Sequence, residues 1–341
     1  MTEVAFRYLS RQDVIALGGG DVARAVEDVS EVLRLLRCGE AAMPAETAVA
    51  LAGSEQARAY ALAARVGGRF GAAGVKWAAH RPPVEDGAPQ TLSLTLINDL
   101  ATGRPRGLVE SALLTATRTA AVSALALCTV APRRPRRVAV LGAGVQARAH
   151  LAMLAALFPA VEEVAVWNRS PARRDALIAT IRPAAPWPIR LADDLSEIVA
   201  GGADAIVACT AAAQPILGRS AVRPGRILLQ IGYHEVAFDA IDDADAVVVD
   251  LWGDFARTSA KSLFQMHRAG RFPAERVAAD LSAAVLDGWR PAPDTAVYMS
   301  SFGLNVFDVA LAARVLARAE AEDVGRLLPM SGDERGDWPW P

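Results

Sequence analysis

A glycine-rich turn carries the clearest chemical signal in this sequence. The stretch VAVLGAGVQARAHLAML, which begins at residue 138, reads as a strand, a tight turn and a helix. It fits the G-x-G-x-x-G/A pattern, in which the glycines make the turn and admit a pyrophosphate and the third small residue lets the helix pack closely. A helix N-terminus at this point also favours an anion. The predicted dinucleotide-binding residues are Gly142, Gly144, Val145, Gln146 and Ala147.

The end of the next predicted strand indicates which dinucleotide is bound. NAD-specific folds usually place an acidic residue there, which bonds the ribose 2′-hydroxyl. Here the strand EVAVW is followed by Asn168, Arg169 and Ser170. No carboxylate repels a 2′-phosphate, and Arg169 with Ser170 could bind one. We therefore favour NADP(H); NAD(H) remains possible, since Arg169 could instead cover the adenine. Thr210, which ends AIVACT, is predicted either to line the nicotinamide-side ribose or only to cap its strand.

Two cations in apolar surroundings are the candidate substrate-binding residues. Lys76 lies in the strand-like run GVKWAA, and Arg118 lies in the alanine-rich helix SALLTATRTAAVSALAL. A lone cation is costly to bury without an anionic partner, so both residues are predicted to meet carboxylate or phosphate groups. On the same helix, Thr115 and Thr119 could donate to phosphate oxygens or back-bond to their own helix.

The elements around these residues predict two domains. From residue 138 onward, short apolar runs alternate with helical stretches, which is typical of a parallel sheet covered on both faces. Before it, TGRP at 102–105 marks a hairpin between strand-like runs. We predict an α/β protein, with a Rossmann-type doubly wound parallel sheet over 131–307. A second, α+β domain for substrate binding and dimerisation is predicted to comprise residues 1–130 and 308–341.

Composition excludes several classes of function. The 341 residues carry a net charge of −2 and are 52% hydrophobic, so a large core is expected and nucleic-acid binding is disfavoured. The three cysteines (Cys38, Cys128 and Cys209) form no C-x-x-C pair and are predicted to be core residues in a reducing compartment. The first residues contain no signal-peptide core, and no window reaches the roughly 18 apolar residues of a membrane span. A cytoplasmic protein that binds no membrane is expected.

Taken together, these segments resemble the ornithine cyclodeaminase/mu-crystallin superfamily. The resemblance covers nearly the whole chain. It is carried by GVKWAAHRPP (74–83), LINDLATGRPRGLVES (96–111), LLTATRTAAVSALA (113–126), the glycine turn and SSFGLNVFDVALA (300–312). It implies a homodimer and an NAD(P)-dependent oxidoreductase that acts on the C–N bond of an amino acid or imine. It also implies that Lys76 and Arg118 bind the substrate carboxylate, that Arg118 lies close to the cofactor phosphates, and that Asp308 faces the cofactor.

Three details are most similar to one branch, the N-(2-amino-2-carboxyethyl)-L-glutamate dehydrogenases. They are Glu110-Ser111, VGGRF at 66–70 and the SFGL before the last helix. This similarity implies oxidative cleavage of the conjugate to 2,3-diaminopropionate and 2-oxoglutarate, for siderophore or antibiotic synthesis.

Two departures from the family pattern bear on mechanism and substrate. Ornithine cyclodeaminases have a Gly-x-Asp whose Asp is the base, whereas this chain reads Gly232-Tyr233-His234-Glu235. His234 or Glu235 is the candidate replacement, since a histidine pKa near neutrality suits water activation; His234 is equally compatible with a polar strand end. Glu46 stands where the family often has a carboxylate-binding Arg, and Arg58 is the candidate substitute.

Three alternatives to the cleavage reaction stay open. One is an NADPH-dependent ketimine or imine reductase or amino-acid dehydrogenase, which the segment at residues 168–170 favours. Another is ornithine cyclodeaminase, which the missing Asp disfavours. The last is a mu-crystallin-like protein that binds NADPH and a small ligand without turnover.

Overall fold

The chain forms two compact units, which are described separately. The computed structural model describes residues 5–51, 57–80 and 91–330, so residues 81–83 of GVKWAAHRPP lie outside the described part. The first unit comprises Met1–Asp21, Arg34–Thr117 and Asn305–Pro341, and the second comprises Val22–Leu33 and Arg118–Leu304. The division falls within a helix, between Thr117 and Arg118, whereas the sequence predicted a boundary near residue 130.

The first unit is built on an eight-stranded mixed sheet. Numbered in chain order, its strands are β1 (Ala5–Leu9), β2 (Ala41–Ala42), β3 (Thr47–Ala50), β4 (Arg58–Val66), β5 (Ala72–His80), β6 (Thr91–Asp99), β7 (Pro105–Glu110) and β16 (Arg326–Pro329). Their order is β16-β1-β7-β6-β5-β4-β2, and β3 pairs with β4. Among the described strands of this sheet, only β1 and β7 pair in parallel. The predicted turn at TGRP joins β6 to β7, where Asp99 accepts the backbone N–H of Thr102 at 2.8 Å.

Among the described residues, two α-helices lie wholly in the first unit. Helix α1 (Arg11–Ala16) begins with a capping box in which Ser10 and Asp13 satisfy each other's backbone N–H groups. Helix α10 (Asn305–Glu322) is buried along most of its length and packs on β4, β5, β6 and β7. Gly107 allows this close approach, because a Cβ there would lie 2.6 Å from the Leu316 side chain.

Helices α2 (Val22–Arg37) and α3 (Ala112–Thr129) contribute residues to both units. By length and composition α3 could cross a membrane, but 78% of its apolar window is buried inside the fold. It is therefore a core helix, as its alanine-rich sequence predicted.

The second unit contains a parallel sheet of eight strands. They are β8 (Arg137–Leu141), β9 (Glu163–Trp167), β10 (Ile189–Leu191), β11 (Ala205–Ala208), β12 (Ile227–Gln230), β13 (Ala246–Val249), β14 (Val277–Asp280) and β15 (Val297–Ser300). Their order is β10-β9-β8-β11-β12-β15-β13-β14. The order reverses at β8, which lies between β9 and β11, so this edge holds the topological switch point where such sheets bind ligands.

α-Helices connect these strands, as the alternation in the sequence predicted, except between β11 and β12, where the connection contains one 3-10 turn (Arg219–Ala221). They are α4 (Val145–Leu157), α5 (Pro171–Ile181), α6 (Leu195–Ala200), α7 (Phe238–Asp242), α8 (Ser262–Arg268) and α9 (Leu281–Leu286). Strands β11, β12, β13 and β15 are buried at every residue, which explains why their sequences are apolar except for Gln230 and Ser300 at two strand ends. The predicted fold class is confirmed.

The cysteines are placed differently from one another. Cys209 is buried at the end of β11, as predicted. Cys38 and Cys128 are exposed, so their prediction as core residues was wrong. Cys38 directly follows α2 and Cys128 lies in the last turn of α3, where helix ends reach solvent.

Candidate active site

The glycine turn of the second unit has the geometry of a nucleotide cradle. Gly142 follows β8 and donates its N–H to the Trp167 carbonyl at 2.8 Å, which ties the ends of β8 and β9 together. Its φ of +117° is strained for any residue with a side chain, and a Cβ would lie 2.5 Å from the Cys209 carbonyl. Only glycine fits this position.

The start of α4 fits a pyrophosphate. Gly144 caps the helix without a side-chain hydrogen bond, and a Cβ on it would meet nothing within 4 Å. Val145 is 66% exposed, Ala147 is fully buried, and the Gln146 carbonyl accepts a hydrogen bond from the His150 ring. The open space, the uncapped N–H groups and the helix dipole therefore suit an anion.

The segment after β9 leaves one arginine accessible. Asn168 donates its amide to the Ser170 carbonyl at 2.9 Å, and Ser170 caps α5. The Arg169 side chain is exposed and makes no ion pair with the part of the chain that the structure describes. Its guanidinium is available to an anionic group at the carboxyl end of β9.

The Glu235 side chain forms hydrogen bonds with the residue Thr210, which follows β11. Its carboxylate accepts the Thr210 backbone N–H at 2.8 Å and contacts the Thr210 hydroxyl at 3.3 Å. Gly232 packs directly on this carboxylate, which leaves no room for a Cβ. Glu235 is fully buried, and burial raises the pKa of its carboxyl to about 7, although the Lys261 charge opposes the rise.

His234 is the more accessible of the two candidate proton-transfer residues. It is half-buried, and its Nδ1 lies 3.1 Å from the Ser262 hydroxyl. Burial lowers the pKa of its imidazole, so the neutral ring predominates near neutral pH. A neutral imidazole can accept a proton from water.

Arg118, Asp250 and Lys261 are buried in the same unit. The Arg118 guanidinium lies against Gly303, where φ is +92° and a Cβ would be 2.6 Å from the guanidinium. Asp250 follows β13 and accepts the backbone N–H groups of Phe302 and Gly303 at 3.0 and 2.7 Å. Lys261 donates to two carbonyls after β12, and burial lowers the pKa of its ammonium to about 8.

In the first unit, Lys76, Asp308 and Thr115 form a buried cluster. The Lys76 ammonium lies 2.8 Å from the Asp308 carboxylate, and both side chains are at most 5% exposed. Thr115 donates its hydroxyl to Asp308 at 2.8 Å and lies 3.4 Å from the lysine Nζ. Asp308 is in the first turn of α10, where a carboxylate is favoured. The cluster places an ammonium and a carboxylate side by side in a low-dielectric environment.

Further polar residues lie on strands of the first unit or, like Glu46, directly before one. Burial raises the pKa of Glu46, and the Lys76 charge opposes the rise. Burial and then Lys76 lower the pKa of His80, whose ring packs edge-on against Tyr60. Arg58 is exposed on β4, opposite His80. Its charge reaches Tyr60, where it opposes the rise in pKa that burial and Glu46 cause.

The predicted site residues therefore fall into two groups. Lys76, Thr115 and Asp308 meet in the first unit. The glycine turn, Thr210, Glu235 and Arg118 line strand ends of the second unit. Thr115 was predicted to donate a hydrogen bond to a phosphate; in the structure its hydroxyl donates a hydrogen bond to Asp308. Sequence reasoning missed Asp250 and Lys261; the apolar run AVVVDL, which ends in Asp250, was the available signal for the first.

Comparison with known proteins identifies the family. The model of the ornithine cyclodeaminase/mu-crystallin family matches residues 18–323. A relative that spans most of the chain is N-((2S)-2-amino-2-carboxyethyl)-L-glutamate dehydrogenase of Staphylococcus aureus, 23% identical over 94% of this chain and 97% of its own length.

Solved structures share the fold. The Delta(1)-pyrroline-2-carboxylate reductase of Thermococcus litoralis, in complex with NADH and L-proline, superimposes with a TM-score of 0.86 and 22% identity, covering 94% of this chain and 99% of its own. An archaeal alanine dehydrogenase dimer with bound NAD has a TM-score of 0.84 and 23% identity, and the match covers 96% of this chain and 100% of its own. With a family model that matches most of its length, the chain belongs to the ornithine cyclodeaminase/mu-crystallin family.

Proposed function

We propose that this NAD(P)-dependent oxidoreductase of CH–NH groups oxidatively cleaves N-(2-amino-2-carboxyethyl)-L-glutamate to 2,3-diaminopropionate and 2-oxoglutarate. The Staphylococcus aureus relative, which carries the corresponding dehydrogenase name, supports this over most of the chain. The absent cyclodeaminase Asp supports it as well, because Tyr233 and His234 follow Gly232 here. In this proposal the first unit binds the substrate and the second binds the dinucleotide.

The observation that carries the proposal is the buried Lys76–Asp308 pair. A C–N bond beside a carboxylate needs a cation for the carboxylate and a base for the nitrogen proton. The pair provides both groups, with the ammonium 2.8 Å from the carboxylate. Both are shielded from solvent, which would weaken their electrostatic interactions. Lys76 binds the substrate carboxylate, and Asp308 accepts the proton of the reacting nitrogen. Thr115 donates its hydroxyl to Oδ1 of Asp308, and Lys76 pairs with Oδ2 of the same carboxylate.

The overall reaction needs one hydride acceptor and one water. When bound, NAD(P)⁺ supplies the hydride acceptor. Loss of hydride from the glutamate α-carbon and of a proton from the nitrogen leaves an imine. Water then adds to the imine carbon and the C–N bond breaks, which gives the diamino acid and the keto acid. His234, half-buried and neutral, is the residue that activates this water.

A second candidate function is reduction of a cyclic imine with NADPH. Exposed Arg169 and the absence of an acidic residue at 168–170 support NADP(H), and reductive enzymes commonly use that cofactor. The pyrroline-2-carboxylate reductase structure supports the same reaction type by fold alone. Cyclodeaminase activity and NADPH binding without turnover rank below these two.

One assay separates these possibilities. NAD(P)H absorbance is followed with the glutamate conjugate and either NAD⁺ or NADP⁺, with ornithine, and in reverse with a cyclic imine and NADPH. We expect turnover of the conjugate, with 2,3-diaminopropionate detected as product. Turnover of the imine alone would favour the reductase, and tight NADPH binding without any turnover would exclude every enzymatic candidate.

We also propose that the chain forms a homodimer through the first unit. The sheet face opposite Lys76 exposes apolar side chains on neighbouring strands: Val49, Trp77, Leu92 and Leu94. Such a patch is typical of an interface, and the archaeal alanine dehydrogenase that shares the fold is a dimer. We expect Trp77→Asp to give monomers in light scattering, whereas a monomeric parent chain would contradict the proposal. A cytoplasmic location stays a prediction.

A further inference from the structure

Lysine is almost absent from this sequence. Of the 36 lysine and arginine residues, only Lys76 and Lys261 are lysines, and each is 4% exposed. Positive charge on the surface is thus supplied by arginine, whose guanidinium is larger than an ammonium group and stays protonated. The two lysines are kept where a compact ammonium must fit inside the protein. Lys76 belongs to the proposed substrate site, which leaves Lys261 to be explained.

Lys261 fixes the chain after β12. It precedes α8, and its Nζ donates to the carbonyls of Ile231 and Gly232 at 2.5 and 2.8 Å. The ammonium also lies 5.5 Å from the centre of the Tyr233 ring. One buried side chain therefore sets the direction of the peptide groups that follow this strand.

Two buried carboxylates do the same for the neighbouring strand ends. Glu235 accepts the backbone N–H of Thr210 after β11. Asp250 accepts those of Phe302 and Gly303 after β15. Both carboxylates are within electrostatic range of Lys261, which stabilises their ionised forms. Strands β11, β12 and β15 are adjacent, so three linked charges hold three adjacent loops.

We propose that Lys261, Glu235 and Asp250 are positioning residues for the nicotinamide half of the dinucleotide. In a doubly wound sheet each half binds one mononucleotide, on opposite sides of the switch point. The glycine turn and Arg169 lie at the ends of β8 and β9, on the adenosine side. The loops after β11, β12 and β15 belong to the other half. The inference rests on NAD(P) binding by the second unit and is independent of the substrate.

Lys261 is the centre of this arrangement, because its charge acts on both carboxylates. Lys261→Met keeps most of the side-chain volume but leaves two buried carboxylates without their cation. The loops after β11, β12 and β15 should then lose their fixed geometry. The glycine turn does not depend on these contacts and should keep its geometry.

The test compares ligands with and without nicotinamide. Binding of NAD⁺ and ADP-ribose, and of NADP⁺ and 2′-phospho-ADP-ribose, is measured by calorimetry on the full chain. In Lys261→Met we expect the nicotinamide-containing ligands to bind about 10- to 100-fold more weakly, the loss typical of breaking buried charged hydrogen bonds. The affinity of the variant for the two ADP-ribose ligands should stay within about threefold of the parent's. A change that small is less than the loss of one charged hydrogen bond would cause.

Controls and a second variant keep the test decisive. Arg257→Met removes a positive charge from the exposed pair with Asp254, a few residues before Lys261, and should leave all four affinities unchanged. If Lys261→Met does not fold, Glu235→Gln is read in its place and should show the same selective loss. Equal losses for both ligand types, or no loss, would overturn the inference, as would a parent chain that binds no dinucleotide. Selective loss in a chain without turnover of the conjugate would instead refute only the proposed reaction.

Discussion

The two units each bury one lysine, but they balance its charge in different ways. In the first unit Lys76 touches the Asp308 carboxylate at 2.8 Å, and Thr115 completes the cluster. In the second unit Lys261 donates to backbone carbonyls, while Glu235 and Asp250 are engaged with backbone N–H groups. A direct side-chain pair can exchange its partner for a substrate group. A set of charges bonded to backbone instead holds loops in place, so the two lysines are suited to reaction and to positioning, respectively.

The largest expected effect comes from breaking the direct pair. Lys76→Met should lower kcat/KM by about 10²- to 10⁴-fold, because it removes the cation assigned to the substrate carboxylate and disturbs the adjacent base Asp308, whose proton transfer contributes in that range. It should also lower the free energy of unfolding by about 3–5 kcal/mol, because the buried Asp308 carboxylate loses the cation that lies 2.8 Å from it. Kinetics and denaturant unfolding measure both effects.

The double variant Lys76→Met/Asp308→Asn is the matched control for that experiment. With both charges removed, much of the stability should return while activity stays low. Full activity in Lys76→Met, or activity recovered together with stability in the double variant, would contradict the assigned roles.

The second unit should respond chiefly in its pH dependence. Burial raises the pKa of Glu235 to about 7, and Lys261 opposes that rise. Removing the cation in Lys261→Met should raise this pKa further, by about one unit or more, the usual size of an adjacent opposite charge. If NAD⁺ binding requires the ionised carboxylate, its affinity should fall at a higher pH in the variant than in the parent. Asp250 and Arg118 also face Lys261 and remain in place.

Binding titrations between pH 5 and 9, roughly the range spanning these pKa values, measure this shift. The same linkage affects folding: a raised carboxyl pKa favours the native state at low pH, and this contribution is lost as pH rises through about 7. Lys76→Met, which lies in the other unit, should leave the binding profile where it was. Equal shifts in both variants would remove the distinction between the two lysines.

The last expected effect concerns cofactor choice. Arg169→Ala should weaken NADP(H) binding by about 10- to 100-fold, as expected for a charged hydrogen bond to phosphate, and should leave NAD(H) nearly unchanged. Affinities for both cofactors, measured side by side, decide the matter. Similar losses for the two would assign Arg169 to the adenine face.

Local sequence patterns were sufficient where neighbouring residues impose the structure. The glycine turn was readable because Gly142 must adopt φ of +117° and Ala147 must be small, and both constraints act within one strand, turn and helix. The buried strands were readable from their apolar runs. The hairpin at residue 102 was readable from its turn residues. The exposure of Cys38 and Cys128 could not be predicted in this way, because burial at a helix end depends on which other elements cover it.

The sequence by itself determined the fold class, the dinucleotide turn, and Lys76 and Arg118 as buried cations. Tertiary structure alone decided what those residues meet. Asp308 reaches Lys76 across 232 positions because α10 packs on the sheet that contains β5. Lys261 reaches Ile231 and Gly232 because parallel strands bring their carboxyl ends to one edge. Such contacts depend on strand order and helix packing, which no pattern of neighbouring residues specifies, and they separate the lysine suited to chemistry from the lysine that holds the loops.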